Sequence, residues 1–296
     1  MNKNIIKLSA LLLASLFLLC GCFDPMADKP SFDGTGPASD VGEITVPPYN
    51  ESEIYVYRTQ VDESLFITGK SKEYLILVNK LHSLGDDYAP QSLTRLGADI
   101  VISWQEKLGG LYLETRTAQA LVEMIEEMKA DGISDVWVTS AYRDYAYQAN
   151  VFDRYLSEES NTISENAAAY FGEDYLINNY YSKNLYKLSL EDARKVVLSY
   201  SAAPGMSEHQ TGLCLDFTTR NMDGNLTEKF ENEAAFEWLS KNAYKFGFIM
   251  RYPQSKEAVT GYTYEPWHYR FVGREAATDI YYSGLSLEEY LIALEN

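Results

Sequence analysis

Apolar residues recur every three or four positions at Ala118, Leu121, Val122, Ile125 and Met128, the spacing of one helical face, and Gly132 stands where that helix should stop. The period then changes. Over 135–140, Val136 and Val138 alternate with Trp137 and Thr139, which predicts a strand. Asp144 is placed to cap a helix reaching Leu156, and Ser189 with Asp192 has the capping-box spacing that opens another helix through Tyr200. Leu213 to Thr218 reads as a buried strand, and Asp223-Gly224 as a hairpin-type turn. Phe236, Leu239, Ala243 and Phe246 predict a helix ended by Gly247, the segments 248–251 and 268–272 two further strands, and Ser286 with Glu289 the start of a closing helix. A short strand-like stretch at 54–57 precedes all of these. Helices interleaved with short strands, several joined by turns, predict an α+β fold: a single domain in which helices flank a small antiparallel sheet. No internal repeat is visible.

The chain of 296 residues is 46% hydrophobic, enough to bury a substantial core. Its 43 acidic against 25 basic residues give a formal charge of −18, which opposes nucleic-acid binding and leaves no polybasic handle for an anionic membrane. Lys3 and Lys7 lead into an apolar run from Leu8 to Cys20, too short to span a bilayer comfortably but of the length of a secretory signal. Its end, Leu19-Cys20-Gly21-Cys22, resembles a bacterial lipobox, which implies cleavage after residue 21 and acylation of Cys22. A plain signal peptide is the alternative. The expected organisation is a lipoprotein signal over 1–21, a Pro-, Gly-, Asp- and Ser-rich disordered tether over 22–51, and a domain over 52–296, held by its lipid anchor outside the bacterial cytoplasm. After such processing Cys214 is the one cysteine left in the body of the chain, so no internal disulfide is expected there.

Three segments can carry chemistry. His209 stands two residues after Ser207 in Ser207-Glu208-His209-Gln210-Thr211-Gly212, and Asp216 follows within an otherwise apolar strand, where an unpaired carboxylate is costly. His268 stands in Glu265-Pro266-Trp267-His268-Tyr269-Arg270, with Glu265 three residues ahead of the imidazole. Two imidazoles and a carboxylate form a set that Zn²⁺ accepts, with a fourth position left for water. The same residues also fit a structural reading, with His268 packed beside Trp and Tyr and Asp216 paired to an arginine or to backbone N–H groups. In the third segment, Ser140-Ala141-Tyr142-Arg143-Asp144-Tyr145-Ala146-Tyr147-Gln148, Arg143 sits at a strand-to-helix corner. It could bind an anionic group or a developing oxyanion, or simply pair with a surface acid.

Taken together, these segments resemble the VanY-type zinc D-alanyl-D-alanine carboxypeptidase family, which includes LD-carboxypeptidases of peptidoglycan. The family pattern is Ser-x-Tyr-Arg with a Gln five residues after the Arg, then Ser-x-His-x-x-Gly-x-x-x-Asp, then Glu-x-Trp-His, and all three parts are present with their internal spacing. An entry segment from Leu77 through Leu93 extends the likeness to roughly residues 74–275. The resemblance implies that His209, Asp216 and His268 bind Zn²⁺ in a cleft and that Glu265 is the general base. It also implies that Arg143 holds the scissile carbonyl oxygen, and that Gln148 and Ser207 engage the terminal carboxylate of a peptidoglycan stem peptide. Ser140 and Tyr142 are expected to support the corner without a chemical role.

Cys214 shares strand parity with Asp216, and the reading favoured for it is a packed, inert thiol. Ala141 departs mildly from the glycine common after the first Ser. The interval from Arg143 to His209 is longer than in compact members, with a Tyr- and Asn-rich stretch that either covers the cleft or elaborates the surface. His82 lies off the motifs and is expected to be structural or exposed. The implied function is D,D-carboxypeptidase activity. The alternatives are L,D-carboxypeptidase activity on tetrapeptide stems, a non-catalytic peptide-binding lipoprotein, which would not need Glu265, and a zinc endopeptidase.

Overall fold

The computed structural model describes residues 55–295. The expected signal and tether, and with them Cys22, lie outside the described residues. Among the described residues no helix is long and apolar enough to cross a membrane.

In order along the chain the strands are β1 (Leu93–Arg95), β2 (Tyr112–Glu114), β3 (Trp137–Ser140), β4 (Cys214–Thr218), β5 (Phe248–Met250) and β6 (His268–Phe271). The helices are α1 (Ser103–Lys107), α2 (Thr115–Ala130), α3 (Tyr145–Asn161), α4 (Glu165–Phe171), α5 (Glu173–Asn179), α6 (Leu190–Tyr200), α7 (Ala234–Asn242), α8 (Glu257–Thr260), α9 (Arg274–Ser283) and α10 (Leu287–Glu295). β1 and β2 pair as a small ribbon, and the other four strands form an antiparallel sheet in the order β3-β4-β6-β5. The expected α+β architecture is what forms.

One face of the four-stranded sheet is apolar. Val138, Leu215, Phe217, Phe248, Tyr269 and Phe271 join a single core with Ala118, Leu121, Met124, Ile125 and Met128 of α2. Val122, which the periodicity placed on this face, is 39% exposed, and Met124 lies in the core instead. The α2 start is locked by the Glu114 carboxylate, which accepts from the Thr117 N–H at 2.9 Å. Because the strand period is two, the other face of β4 carries Cys214, Asp216 and Thr218. That face builds the site.

The caps read from sequence mostly hold. Asp144 accepts from Tyr147 N–H at 2.7 Å at the start of α3, and Ser286 with Glu289 forms a reciprocal capping box on α10. Ser189 caps α6 in one direction only: its hydroxyl accepts from Asp192 N–H, but its own N–H goes to the Tyr180 hydroxyl, while Asp192 takes the Tyr180 and Tyr175 hydroxyls. Those tyrosines belong to the Tyr- and Asn-rich stretch between Arg143 and His209. It folds as α4, α5 and α6 around Ala167, Leu176, Tyr180, Leu188, Ala193 and Val196, and packs against α3 through Phe152 and Val197.

Two expected elements differ. Residues 55–57 form no strand and Ile54 lies outside the described residues; Tyr55 instead crosses α2, donating its hydroxyl to Glu127 and Asp131, and Tyr57 packs edge-on against Phe246. Asp223 and Gly224 do adopt positive φ, of 48° and 82°, but no hairpin follows, because β4 pairs with β3 and β6 and the chain leaves the turn for α7.

Gly247 ends the turn after α7 at φ +83°, where a Cβ would lie 2.7 Å from the Phe271 ring and 3.1 Å from the Gly273 backbone. Gly247→Ala should therefore destabilise the domain by about 1–3 kcal/mol from backbone strain alone, with steric displacement of β6 adding to it. A lower urea midpoint at unchanged m-value is the expected reading.

Candidate metal centre and active site

A bulge makes the site. β3 pairs with β4 as Trp137 opposite Thr218 and Val138 opposite Phe217, and the register then shifts so that Ser140 faces Asp216. Asp216 in turn faces His268 across β6. Opposed residues share a face, so Ser140, Asp216 and His268 form one row across three strands.

His209 reaches this row from a 3-10 turn, Glu208–Thr211, that ends at Gly212 with φ +70°. Two bonds tie that turn to the corner after β3: Arg143 N–H donates to the His209 carbonyl at 3.1 Å, and His209 Nδ1 lies 2.6 Å from the Ala141 carbonyl. A carbonyl can only accept, so Nδ1 carries the proton and the lone pair is left on Nε2. That Nε2 is 3.3 Å from Asp216 Oδ2, while His268 Nδ1 is 2.9 Å from Asp216 Oδ1. All three residues are only 3% exposed. Burial alone would raise the Asp216 carboxyl, but the two imidazoles outweigh it and hold it well below the usual carboxylate range. Two nitrogens and one carboxylate converging in a buried position, one of the imidazoles tied through its far nitrogen to a backbone carbonyl, fit a zinc ion.

Glu265 lies at the more open edge. Its side chain keeps 17% exposure and its Oε2 is 3.7 Å from His268 Nδ1. Burial, reinforced by Asp216 against the opposing pull of His268, pushes its carboxyl up to about 7, a value suited to proton exchange near neutrality. Arg143 completes the edge. Its Nε donates to Gln148 Oε1 at 3.0 Å, Nη1 to Ser140 Oγ at 2.8 Å and Nη2 to Ser207 Oγ at 3.4 Å. Gln148 is itself anchored by donating to the Ala202 carbonyl at 2.7 Å. All seven domain residues singled out from the sequence are thus brought together, and Ser140, expected to have no part in the chemistry, orients the guanidinium. His82 is exposed and its ring contacts Asn79. A cavity of about 1430 Å³ lined by Leu75, Leu77, Pro90, Val259 and Ile292 includes none of these seven residues.

A family model described as D-alanyl-D-alanine carboxypeptidase, VanY, matches residues 110–274. The chain belongs to the VanY family. It is 34% identical over 224 residues to a D-alanyl-D-alanine carboxypeptidase of Enterococcus faecalis (strain ATCC 700802 / V583), covering 75% of this chain. The match spans 66% and 68% of the length of two of its curated relatives. Among solved structures it resembles the LdcB LD-carboxypeptidase, with a TM-score of 0.58 at 35% identity over 74% of this chain and 86% of that one. It also resembles a VanY D,D-pentapeptidase variant from a VanB-type resistance cassette solved with Zn(II), with a TM-score of 0.53 at 32% identity over 74% of this chain and 99% of that one.

Around the VanY motif residues the structure adds two features. Cys214 is wholly buried, as expected, but it is not remote from the site: β4 is regular over this stretch, and the ligand-capable atoms of His209, Cys214 and His268 lie within 4.8 Å of one another. Burial opposes its thiolate, yet the two imidazoles bring the thiol down to about 7. Parity alone pointed to this face, and the regular strand makes that parity count. The second feature is a buried ion cluster that the motifs do not mention. Glu208 accepts from Arg251 Nε at 2.8 Å and from Arg270 Nη1 at 2.6 Å, while Glu288 of α10 accepts from both terminal nitrogens of Arg251 at 2.8 and 2.6 Å and from Asn79 at 3.1 Å. Two carboxylates and two guanidiniums balance. In the sequence these partners stand far apart, with no spacing to link them.

Proposed function

We propose that this protein is a zinc-dependent carboxypeptidase that removes the C-terminal D-alanine from peptidoglycan stem peptides. The observation that carries the reading is the convergence, on one sheet face, of a zinc-suited donor set, a proton-exchanging carboxylate and a fixed guanidinium. His209 through Nε2, Asp216 and His268 through Nδ1 would hold the ion. A zinc ion bound there lowers the pKa of water to about 7 and polarises a carbonyl.

Glu265 takes the proton of the attacking water and returns it to the leaving amine nitrogen, a task that its raised pKa and partial exposure allow. Arg143 faces the carbonyl oxygen as charge gathers on it; its three side-chain partners hold the guanidinium in place beforehand, so little reorganisation is needed. Gln148 and Ser207, beside that guanidinium, are assigned to the substrate's terminal carboxylate, a role that would favour an exopeptidase over an endopeptidase or a passive peptide binder. The lipobox-like N-terminus supports an enzyme anchored outside the cell membrane through Cys22, within reach of the cell wall.

D,D cleavage is the leading reading, in keeping with the family model's description, and L,D cleavage is the second, favoured by the likeness to LdcB. Zinc-loaded protein incubated with synthetic stem pentapeptide and tetrapeptide, with D-alanine followed by mass spectrometry, separates them. Release from the pentapeptide alone is the expected result. Release from the tetrapeptide alone moves the enzyme to L,D cleavage, and no release by folded, zinc-loaded protein overturns the carboxypeptidase reading.

A further inference from the structure

His268 presents its two ring nitrogens to two different carboxylates. Nδ1 faces Asp216 and Glu265, whereas Nε2 faces inward, 3.6 Å from Glu208 Oε2. Both Nε2 and Oε2 are buried and neither has a hydrogen-bond partner. Unpaired polar atoms of this kind are rare in native interiors, and two of them facing each other across a gap a few tenths of an ångström too long for a hydrogen bond form an obvious pair. The other oxygen of Glu208 is fully used by Arg251 and Arg270, which fixes the carboxylate plane and leaves Oε2 directed at the ring. Two buried guanidiniums, at 2.8 and 2.6 Å from the same oxygen, pair the Glu208 carboxylate as a charged group.

We propose that Glu208 is a positioning residue for the metal centre: held by Arg251 and Arg270, it accepts the Nε2 proton of His268 and so reserves Nδ1 for the metal. The inference rests on the zinc reading above. An ionised carboxylate can only accept, so once zinc takes the place of the Nδ1 proton that faces Asp216, Glu208 holds the remaining proton on Nε2 and makes the ring a better donor at Nδ1. The opposite nitrogen is used at His209, where the Ala141 carbonyl reserves Nε2. Through Arg251 and Glu288 the same network links His268 to α10 at the C-terminal end of the described chain.

Glu208→Gln preserves shape but reverses the polarity. Its carbonyl oxygen must stay with the two guanidiniums, so its amide N–H turns to Nε2, which then has to be the acceptor, moving the proton onto Nδ1. Zinc affinity measured by competition with a chelator should fall about 10–100-fold in this variant. Nitrogen-15 NMR of histidine-labelled protein reads the tautomer directly, since the chain holds only three histidines. Zinc-loaded wild type should show His268 protonated at Nε2, and metal-free protein should carry a proton on both ring nitrogens in the wild type but on Nδ1 alone in Glu208→Gln. The wild-type spectrum decides even if the variant fails to fold: a proton on Nδ1, with zinc on Nε2, overturns the inference. A folded variant with unchanged affinity and tautomer overturns it too while leaving the zinc reading intact, whereas a wild type that binds no zinc removes both.

Discussion

Glu265→Gln should lower turnover by about 10²–10⁴-fold while leaving bound zinc near one equivalent. The amide matches the carboxylate in size and cannot take a proton from water, so the loss falls on the chemical step. Glu265 is 3.7 Å from His268 Nδ1, whereas Asp216 is 2.9 Å from it, and Asp216 alone also reaches the His209 ring. These distances suit the proposed ligand role of Asp216, with Glu265 beside the site. Turnover on the preferred stem peptide, together with metal content by mass spectrometry, checks both halves of the expectation. A variant that loses zinc along with activity would make Glu265 a ligand, and one that keeps full activity would remove it from catalysis.

Arg270→Met should cost about 3–5 kcal/mol of stability, the magnitude expected when one partner of a buried ion pair is taken away. Arg270 is completely buried and donates to Glu208 and to the carbonyls of Tyr74, Ile76 and Phe271. The methionine fills most of the volume but leaves these carbonyls short of a donor and Glu208 with Arg251 as its one guanidinium. The effect should be a melting temperature lower by roughly 10 °C, given the few degrees per kcal/mol typical of a domain this size. Calorimetry of the two proteins measures it. A shift of a degree or two would mean that water enters to solvate the cluster. Because Glu208 also faces His268, Arg270→Met should weaken zinc binding as well.

How much of this was legible in advance differs from element to element. The helix of 115–130 was readable because its buried face repeats at the helical period and a glycine follows it. Asp144 and the Ser286–Glu289 pair were readable because capping is local chemistry between residues three apart. The strand expected at 54–57 is not formed over its described part, 55–57, because strand formation depends on a partner edge and this segment meets α2 instead. The hairpin after Asp223-Gly224 failed for the same reason: the turn chemistry is local and correct, but the neighbours of β4 come from 137–140 and 268–271.

The amino-acid order by itself determined which residues are proposed as donors. His209 and Asp216 are held at a set spacing by one turn and one strand, and Glu265 precedes His268 within one turn, so each half of the constellation travels as a rigid local unit. What only the tertiary structure decided is how the halves meet. The bulge in β3 slides Ser140 opposite Asp216, the β4–β6 register sets Asp216 opposite His268, and the same register carries Cys214 onto the metal face. Glu208, Arg251, Arg270 and Glu288 come together from four separate segments, and no periodicity could announce them, because a buried charge is chosen by the charges that the fold brings to it.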